Sequence, residues 1–286
     1  MGRCVVAVAF AVMLVSCDRP AELGADRIEV VSWNLQFFPG RVKQPTAEQS
    51  AEHLAAGQEE VVNLGADVFC FLEMKTREGV EDLVSALPGF EVRVCSSFPE
   101  LYGAPLQMAI ASRSKPVAEG WELYEKTGAE PPFGLVHAVF EIGDEHLLVA
   151  MVQLQAYVGG IEKSTPGRED GARQALGMID EILSELSERG LENVSTVICG
   201  DYNMDPGGGR WEEDGTDEIF REAGYTWGFE GVPFEERITW LSSGTYPDAS
   251  FDHVFHKMTE ARRISVERVV LEDCPSDHLP VRAVIE

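Results

Sequence analysis

Apolar positions along the chain recur with two distinct periods. Runs rich in Ile, Val, Phe and Trp predict strands over residues 27–38, 67–73, 90–95, 107–112, 135–142, 146–155 and 195–199. Four more follow at 237–241, 250–255, 266–271 and 281–285. Helical spacing appears over 46–64, where Gly65 supplies a C-terminal stop, and again in Val80, Leu83, Val84 and Leu87 ahead of Pro88-Gly89. A third stripe joins Ala172, Ala175, Leu176, Ile179, Ile182, Leu183 and Leu186, which reads as core packing, and a fourth helix is expected near 213–223. Residues 157–168 read as a loop and 206–209 as a Gly-rich turn. So many strands with so few helices disfavour a simple alternating parallel sheet. The pattern predicts an α/β (α+β) fold in which two sheets pack face to face with helices outside. No repeat, low-complexity tract or long linker interrupts residues 27–286, so one domain is expected there.

The first residues follow a different pattern. Arg3 precedes an unbroken apolar run from Val5 to Val15, which ends in Leu14-Val15-Ser16-Cys17. The run is too short to span a bilayer as a helix but suits the core of a signal peptide. The ending resembles the lipobox of bacterial lipoproteins. On that reading residues 1–16 are removed, Cys17 carries the lipid, and residues 17–26 form a short tether. The expected location is the cell envelope, with the protein exported and membrane-anchored through Cys17.

Charge narrows the choice of partners. Lys and Arg number 23 against 49 Asp and Glu, a formal net charge of −26. Such a field repels polyanions, so generic duplex binding through a basic surface is disfavoured. Cys70, Cys95, Cys199 and Cys274 allow three full disulfide pairings in an exported protein, and sequence selects none. Cys70 and Cys199 sit in apolar runs, where buried free thiols are the simpler expectation. No Cys/His spacing suits structural zinc.

Several strands end on polar residues that packing does not require. Val30-Val31-Ser32-Trp33 runs into Asn34, Val68 to Leu72 into Glu73, and Val197-Ile198-Cys199-Gly200 into Asp201-Tyr202-Asn203. If that last strand continues, Asp201 and Asn203 point the same way. Ser276-Asp277-His278-Leu279-Pro280 precedes the terminal strand. Carboxylates and an amide converging at strand ends suit a hard, oxygen-binding cation.

In this order and separation, SWN at 32–34, the strand ending in Glu73, GDYN at 200–203, FDHVF at 251–255 and SDHLP at 276–280 resemble the endonuclease/exonuclease/phosphatase family. Lesser matches are the strand from Met108 to Arg113, and Arg173-Gln174 opening the long helix. The resemblance covers residues 27–286 and implies a DNase I-like four-layer sandwich. It further implies a divalent-metal-dependent phosphoesterase, with magnesium as the expected ion and manganese or calcium as alternatives. Glu73 resembles the main metal-binding carboxylate, with Asn34 beside it and Asp277 as a further ligand or supporting group. Asp201 and Asn203 resemble the pair that holds water and phosphate, and Asp252 the carboxylate that orients the catalytic His278. Either Asp201 or His278 remains open as the base.

The strand carrying Met151-Val152-Gln153-Leu154 departs from the family's usual Asn-x-His-Leu. Gln153 donates a neutral hydrogen bond but carries neither proton nor positive charge. Gln155 shares its alternation and is a second candidate. His253 is expected to face away from Asp252, and His256 is a weak candidate for the rim. Aromatics in the expected rim loops (Tyr102, Phe133, Tyr157, Trp211, Trp227 and Phe229) and cations at Lys75, Arg113, Lys163, Arg168 and Arg210 are candidates for substrate contact. A nucleic acid, a nucleotide or a phospholipid headgroup would each serve as the ester, and a monomer is expected. The alternative outside catalysis is a family-shaped binding protein weakened at Gln153; within it, a phosphatase or a lipid or small-molecule phosphodiesterase competes with a nuclease.

Overall fold

Alternation of side chains sends each strand's residues to two faces, and the fold uses both. The computed structural model describes residues 23–24, 26–100, 103–129, 131–207, 214–244 and 246–286. The signal segment and Cys17 therefore lie outside the described residues, as do Tyr102, Arg210 and Trp211. One sheet runs β11(Ile264–Arg268)–β12(Val281–Ile285)–β1(Ile28–Phe38)–β2(Val68–Met74)–β4(Gln107–Ser112)–β3(Glu91–Cys95). The other runs β5(Ala118–Leu123)–β6(Gly134–Ile142)–β7(Glu145–Gln153)–β8(Val194–Asp201)–β10(Asp252–Lys257)–β9(Thr226–Trp227).

Each sheet contains one parallel pair, β1 with β2 and β7 with β8, and its other pairings are antiparallel. Parallel neighbours need a crossover; α1(Ala47–Leu64) supplies it in the first sheet and α3(Ile161–Glu188) in the second. Helix α1 begins on a capping box between Thr46 and Gln49 and ends on left-handed Gly65. Val31, Trp33, Phe69, Phe71, Ala109 and Ala111 face outward beneath α1 and α2(Arg77–Val84). Val30, Val68, Cys70, Leu72, Met108 and Ile110 face the second sheet and share one core with Leu135, Val149, Ile198 and α3's Ala172, Ala175 and Ile179. The result is the expected four-layer sandwich of two mixed sheets flanked by helices.

Several elements differ from the sequence expectation, among them short β9, which it did not contain, and β11, which begins two residues earlier than expected. Residues 237–241 are not a strand: α5(Phe234–Arg237) is followed by an isolated bridge at Trp240. The buried ion pair of Arg237 with Asp205 fixes this segment instead of a ladder. Much of the expected loop at 157–168 is helix, since α3 starts at Ile161 despite Pro166. Tertiary contacts override propensity there, because Ser164 and Arg168 are fully buried and Arg168 pairs with Asp214. Arg173-Gln174 consequently lies inside α3 rather than at its opening. Strand β5 is an edge strand with a mostly exposed pattern, so it carries little apolar signal. The fourth helix, α4(Thr216–Glu222), starts later than 213; Glu213 lies outside the described residues. Cys70, Cys95, Cys199 and Cys274 are all free, with Cys70 and Cys199 buried.

Candidate active site

Strand register brings three of the expected residues into one row. Gln153 pairs with Asp201 across β7 and β8, and Asp201 pairs with Asp252 across β8 and β10. Residues directly opposite each other share a face, so Gln153, Asp201 and Asp252 stand side by side at one end of the second sheet. Gly200, one residue earlier, has φ +142°, and a Cβ there would meet the Val152 carbonyl oxygen at 1.9 Å. A glycine is what allows β8 to lie this close before Asp201. His253 faces the opposite way, as expected. It is buried among Trp227, Phe229 and Tyr202, and burial lowers its pKa to about 3, so it is a neutral core residue.

The first sheet supplies Asn34 and Glu73 from the ends of its parallel pair. Asn34 has the alternation of Val30, so it faces the second sheet. Glu73 by alternation belongs with Phe69 and Phe71 under the helices. Its backbone breaks that alternation with φ +59°, within an irregularity of register between Phe71 and Met74. A left-handed non-glycine residue costs about 1–3 kcal/mol and persists where its surroundings hold it. Here the gain is a buried carboxylate re-aimed between the sheets.

Hydrogen bonds join the two sheets through these groups. Asn34 Nδ2 donates to Glu73 Oε1 at 3.2 Å and to Asp201 Oδ2 at 3.1 Å. Gln153 Nε2 donates to Glu73 Oε1 at 3.1 Å, and the Phe37 N–H to Glu73 Oε2 at 3.2 Å. His278 Nδ1 lies 2.7 Å from Asp252 Oδ2. The backbone around His278 is fixed by Trp33 Nε1, which donates to its carbonyl at 2.9 Å, and by Ser276 Oγ, which donates to the Asn34 carbonyl at 2.7 Å. Thr239 Oγ1 accepts the N–H groups of both Phe251 and Asp252, each at 2.9 Å. Asp277 Oδ2 accepts from Gln36 Nε2 at 2.9 Å and Trp240 Nε1 at 3.3 Å.

Strand β8 does not continue past Asp201. Asn203 sits in a turn at φ +49°, its N–H donating to Asp201 Oδ1 at 3.0 Å and its Nδ2 to the Leu154 carbonyl at 3.1 Å. Gln155 does not reach the cluster. Its Oε1 packs against α3 at Gly167, where a Cβ would come within 1.7 Å.

Burial and mutual charge separate the titrations of these groups. Burial raises the Glu73 carboxyl, and the neighbouring His278 charge only partly opposes this. Asp201 is pushed up to about 7, by burial first, with the Asp252 and Glu73 charges adding and His278 opposing. Burial disfavours the charged form of His278, yet Asp252, through charge and hydrogen bond, and then Asp201 and Asp277 outweigh it and raise the imidazole to about 10.

Among the described residues no three His, Cys, Asp or Glu side chains converge closely enough to hold a metal by themselves. Asp277 Oδ1, Gln153 Oε1 and Asp252 Oδ1 are nevertheless buried acceptors without a hydrogen-bond donor. Magnesium keeps several waters and takes only one or two carboxylates. An acceptor-rich cluster with amides among the carboxylates therefore fits such an ion without a cage of three acids.

Beside the cluster lies a cavity of about 240 Å³, lined by Tyr157, Asn203, Trp240, Tyr246, Phe251 and His278 among others. Of the expected rim aromatics Tyr157 is here, whereas Phe133, Trp227 and Phe229 are buried in the core. Trp240, Tyr246 and Phe251 complete the lining, and none of them is among the expected rim aromatics. The expected cations do not gather at the site. Lys75 Nζ donates to the Pro39 and Val42 carbonyls, Arg168 is buried on Asp214, and Arg113 lies by Asp67 at the other end of β2. Lys163 is exposed on α3, and half-buried His256 pairs with Thr226 farther along β10.

Two mixed sheets packed face to face, with acids, amides and an imidazole gathered where their parallel strands end, define the DNase I-like class of hydrolase folds. The chain belongs to the endonuclease/exonuclease/phosphatase family, whose model matches residues 31–278, and that family places it among the phosphoesterases. The human nocturnin catalytic domain with bound sulfate is similar over 93% of this chain and 95% of its own, at TM-score 0.68 and 15% identity. Truncated TDP2 of Caenorhabditis elegans is similar over 92% and 99%, at TM-score 0.62 and 17% identity. A mannosyl-6-phosphatase of Bacteroides thetaiotaomicron is similar over 91% and 99%, at TM-score 0.61 and 18% identity. At these identities the likeness speaks for the fold. No curated protein matches the chain.

Proposed function

We propose that this protein is an exported hydrolase of phosphate esters that works with a divalent metal, magnesium in the first place. The observation that carries the reading is the Asp252–His278 pair at 2.7 Å, set in a row with Asp201 and tied through Asn34 to Glu73. Glu73 with Asn34 would hold the ion, with Asp277 as a further ligand or a support for its waters. Bound there, the ion would neutralise charge on the non-bridging phosphate oxygens. Every other role falls to the chain.

His278, raised to about 10, carries its proton at neutral pH and presents a positive charge to the phosphate or leaving oxygen. It is thereby a poor base. Asp201, at about 7, is the better candidate to take the proton of the attacking water, since a base works best near the ambient pH. Asn203, at the turn beside it, is placed to orient water or phosphate. Gln153 gives one amide N–H to Glu73, and its second N–H would serve as a neutral donor to a phosphate oxygen.

The test is hydrolysis of single-stranded DNA, duplex DNA, RNA, a phospholipid and aryl phosphomono- and diesters, each with magnesium and with chelator. Chelator-sensitive cleavage is expected, and His278→Ala should lower turnover by roughly 100-fold or more with the fold intact. Unchanged turnover in that variant would remove His278 from the reaction. Magnesium binding by folded protein that cleaves nothing would favour the binding-protein alternative.

Export and anchoring rest on the apolar run before Cys17. Among the described residues no helix is long and apolar enough to cross a membrane; the attachment proposed is a lipid on Cys17. Cys17→Ser should move the protein from the membrane to the soluble fraction of cells; continued sedimentation with membranes would defeat the lipoprotein reading.

A further inference from the structure

The cavity beside His278 differs chemically from the cluster it adjoins. Among the described residues its lining contains no Lys, Arg, Asp or Glu; Asn203 and His278 supply polar groups toward the cluster, and Tyr157, Trp240, Tyr246 and Phe251 supply rings. Trp240 and Phe251 lie 5.3 Å apart between centroids at an interplanar angle of 31°. Trp240 also reaches the other side: its indole N–H is on Asp277, so the ring is held in place by the acid cluster itself.

Tyr246, which lines the cavity, is 55% exposed; Val158 and Leu241, each next in sequence to a lining residue, are 60% and 40% exposed, and Asp248, next to lining Pro247, is exposed as well. Exposed large apolar side chains gathered around a concave site mark contact with a ligand more often than chance. Size narrows that ligand. Cavities that take drug-sized molecules run to roughly 300–1,000 Å³, while a dry cavity of about 150 Å³ accepts benzene. At about 240 Å³ this one has room for a single ring system.

We infer that this cavity binds a flat, uncharged ring carried next to the phosphate, so that the preferred substrates are small ring-bearing phosphate esters rather than polynucleotide strands. The inference deepens the phosphoesterase reading and rests on it for the position of the phosphate. Four aromatic side chains line the cavity, and among the described residues no Lys or Arg lines it with them. The net charge of −26 points the same way, because a small ester meets far less of that field than a polyanion does.

Two measurements on the full-length protein, purified in detergent with magnesium, separate this inference from the reading beneath it. Calorimetry with phenylphosphonate and methylphosphonate, which cannot be hydrolysed as esters, tests the cavity without turnover. Phenylphosphonate should bind at least about tenfold more tightly, in line with the roughly 5- to 150-fold lost when a stacked base loses its aromatic partner. That ratio should collapse toward one in Tyr246→Ala and Phe251→Leu. Equal affinities in the unaltered protein, or a ratio untouched by both substitutions, would overturn the inference. Hydrolysis of phenyl phosphate, ethyl phosphate and a short oligonucleotide gives the second arm. The phenyl-to-ethyl ratio of kcat/KM should fall at least about tenfold in the same variants. An oligonucleotide cleaved as efficiently as the phenyl ester would overturn the preference for small esters. Ring-selective binding with no hydrolysis would leave the cavity's assignment standing and sink the phosphoesterase reading. Hydrolysis indifferent to ring and variant would do the reverse.

Discussion

Asp201 and His278 both neighbour Asp252, Asp201 across the β8–β10 register and His278 through a hydrogen bond, and their environments drive their protonation in ways that stabilise the same form of the protein. Folding raises the Asp201 carboxyl from 3.8 to about 7, so the folded state prefers it protonated. That stabilisation is complete below about pH 3.8 and disappears as pH rises through about 7. Folding raises the His278 imidazole from 6.5 to about 10, so its stabilisation is complete below about pH 6.5 and is lost as pH rises through about 10. Both contributions have one sign. In chelator, stability measured by urea unfolding should therefore decline from pH 5 to pH 10. Magnesium competes with protons for the raised carboxyl of Glu73, so the stabilisation it confers should grow over the same range. Glu73→Ala should lose most of that magnesium effect. A magnesium effect equal in the variant and the unaltered protein would place the ion elsewhere.

At the scale of elements, the strands were the legible part and their ends were not. An apolar run that stops on Asn34, Glu73 or Asp201 reveals a polar group at a strand end, because nothing in a core asks for one. Sequence cannot reveal which way that group turns. Glu73 reaches Asn34 and Gln153 through a positive φ that alternation would never suggest. Asn203 joins the site from a turn rather than a continued strand. The cavity was illegible for a related reason: Trp240 sits in a segment whose apolar positions imitate a strand while buried Arg237 and Thr239 hold it in another path, and Phe251 falls just before β10 begins. The start of α3 was hidden by Gly159, Gly160 and Pro166, whose local preferences yield to the burial of Ser164 and Arg168. Close approach of β7 and β8 offers a direct check on this scale. Gly200→Ala places a Cβ against the Val152 carbonyl oxygen, at 1.9 Å, in a backbone conformation that alanine resists. The variant should lose about 1–3 kcal/mol in urea unfolding, together with activity, because Asp201 follows directly. Retained stability would show that β8 can shift away from β7 without harm.

Across the whole molecule, the acidic surface and the small, cation-poor site make one argument. A net charge of −26 generates repulsion that any polyanion must climb on approach, and only a local basic groove could reverse it. Among the described residues the candidate cations do not form one: Arg168 is buried in an ion pair, Lys75 is spent on backbone carbonyls, and Arg113 sits at the far end of its sheet. Salt decides between repulsion and a hidden groove, since the Debye length falls from about 30 Å at 0.01 M to about 8 Å at 0.15 M. With magnesium held constant, raising sodium chloride over that interval should lower KM for an oligonucleotide, because screening relieves the repulsion. KM for a simple aryl phosphate, which carries little charge into the field, should change much less. A KM for the oligonucleotide that rises steeply with salt would mean counterions released from a basic track. A nucleic-acid substrate would then regain the advantage that the charge balance denies it.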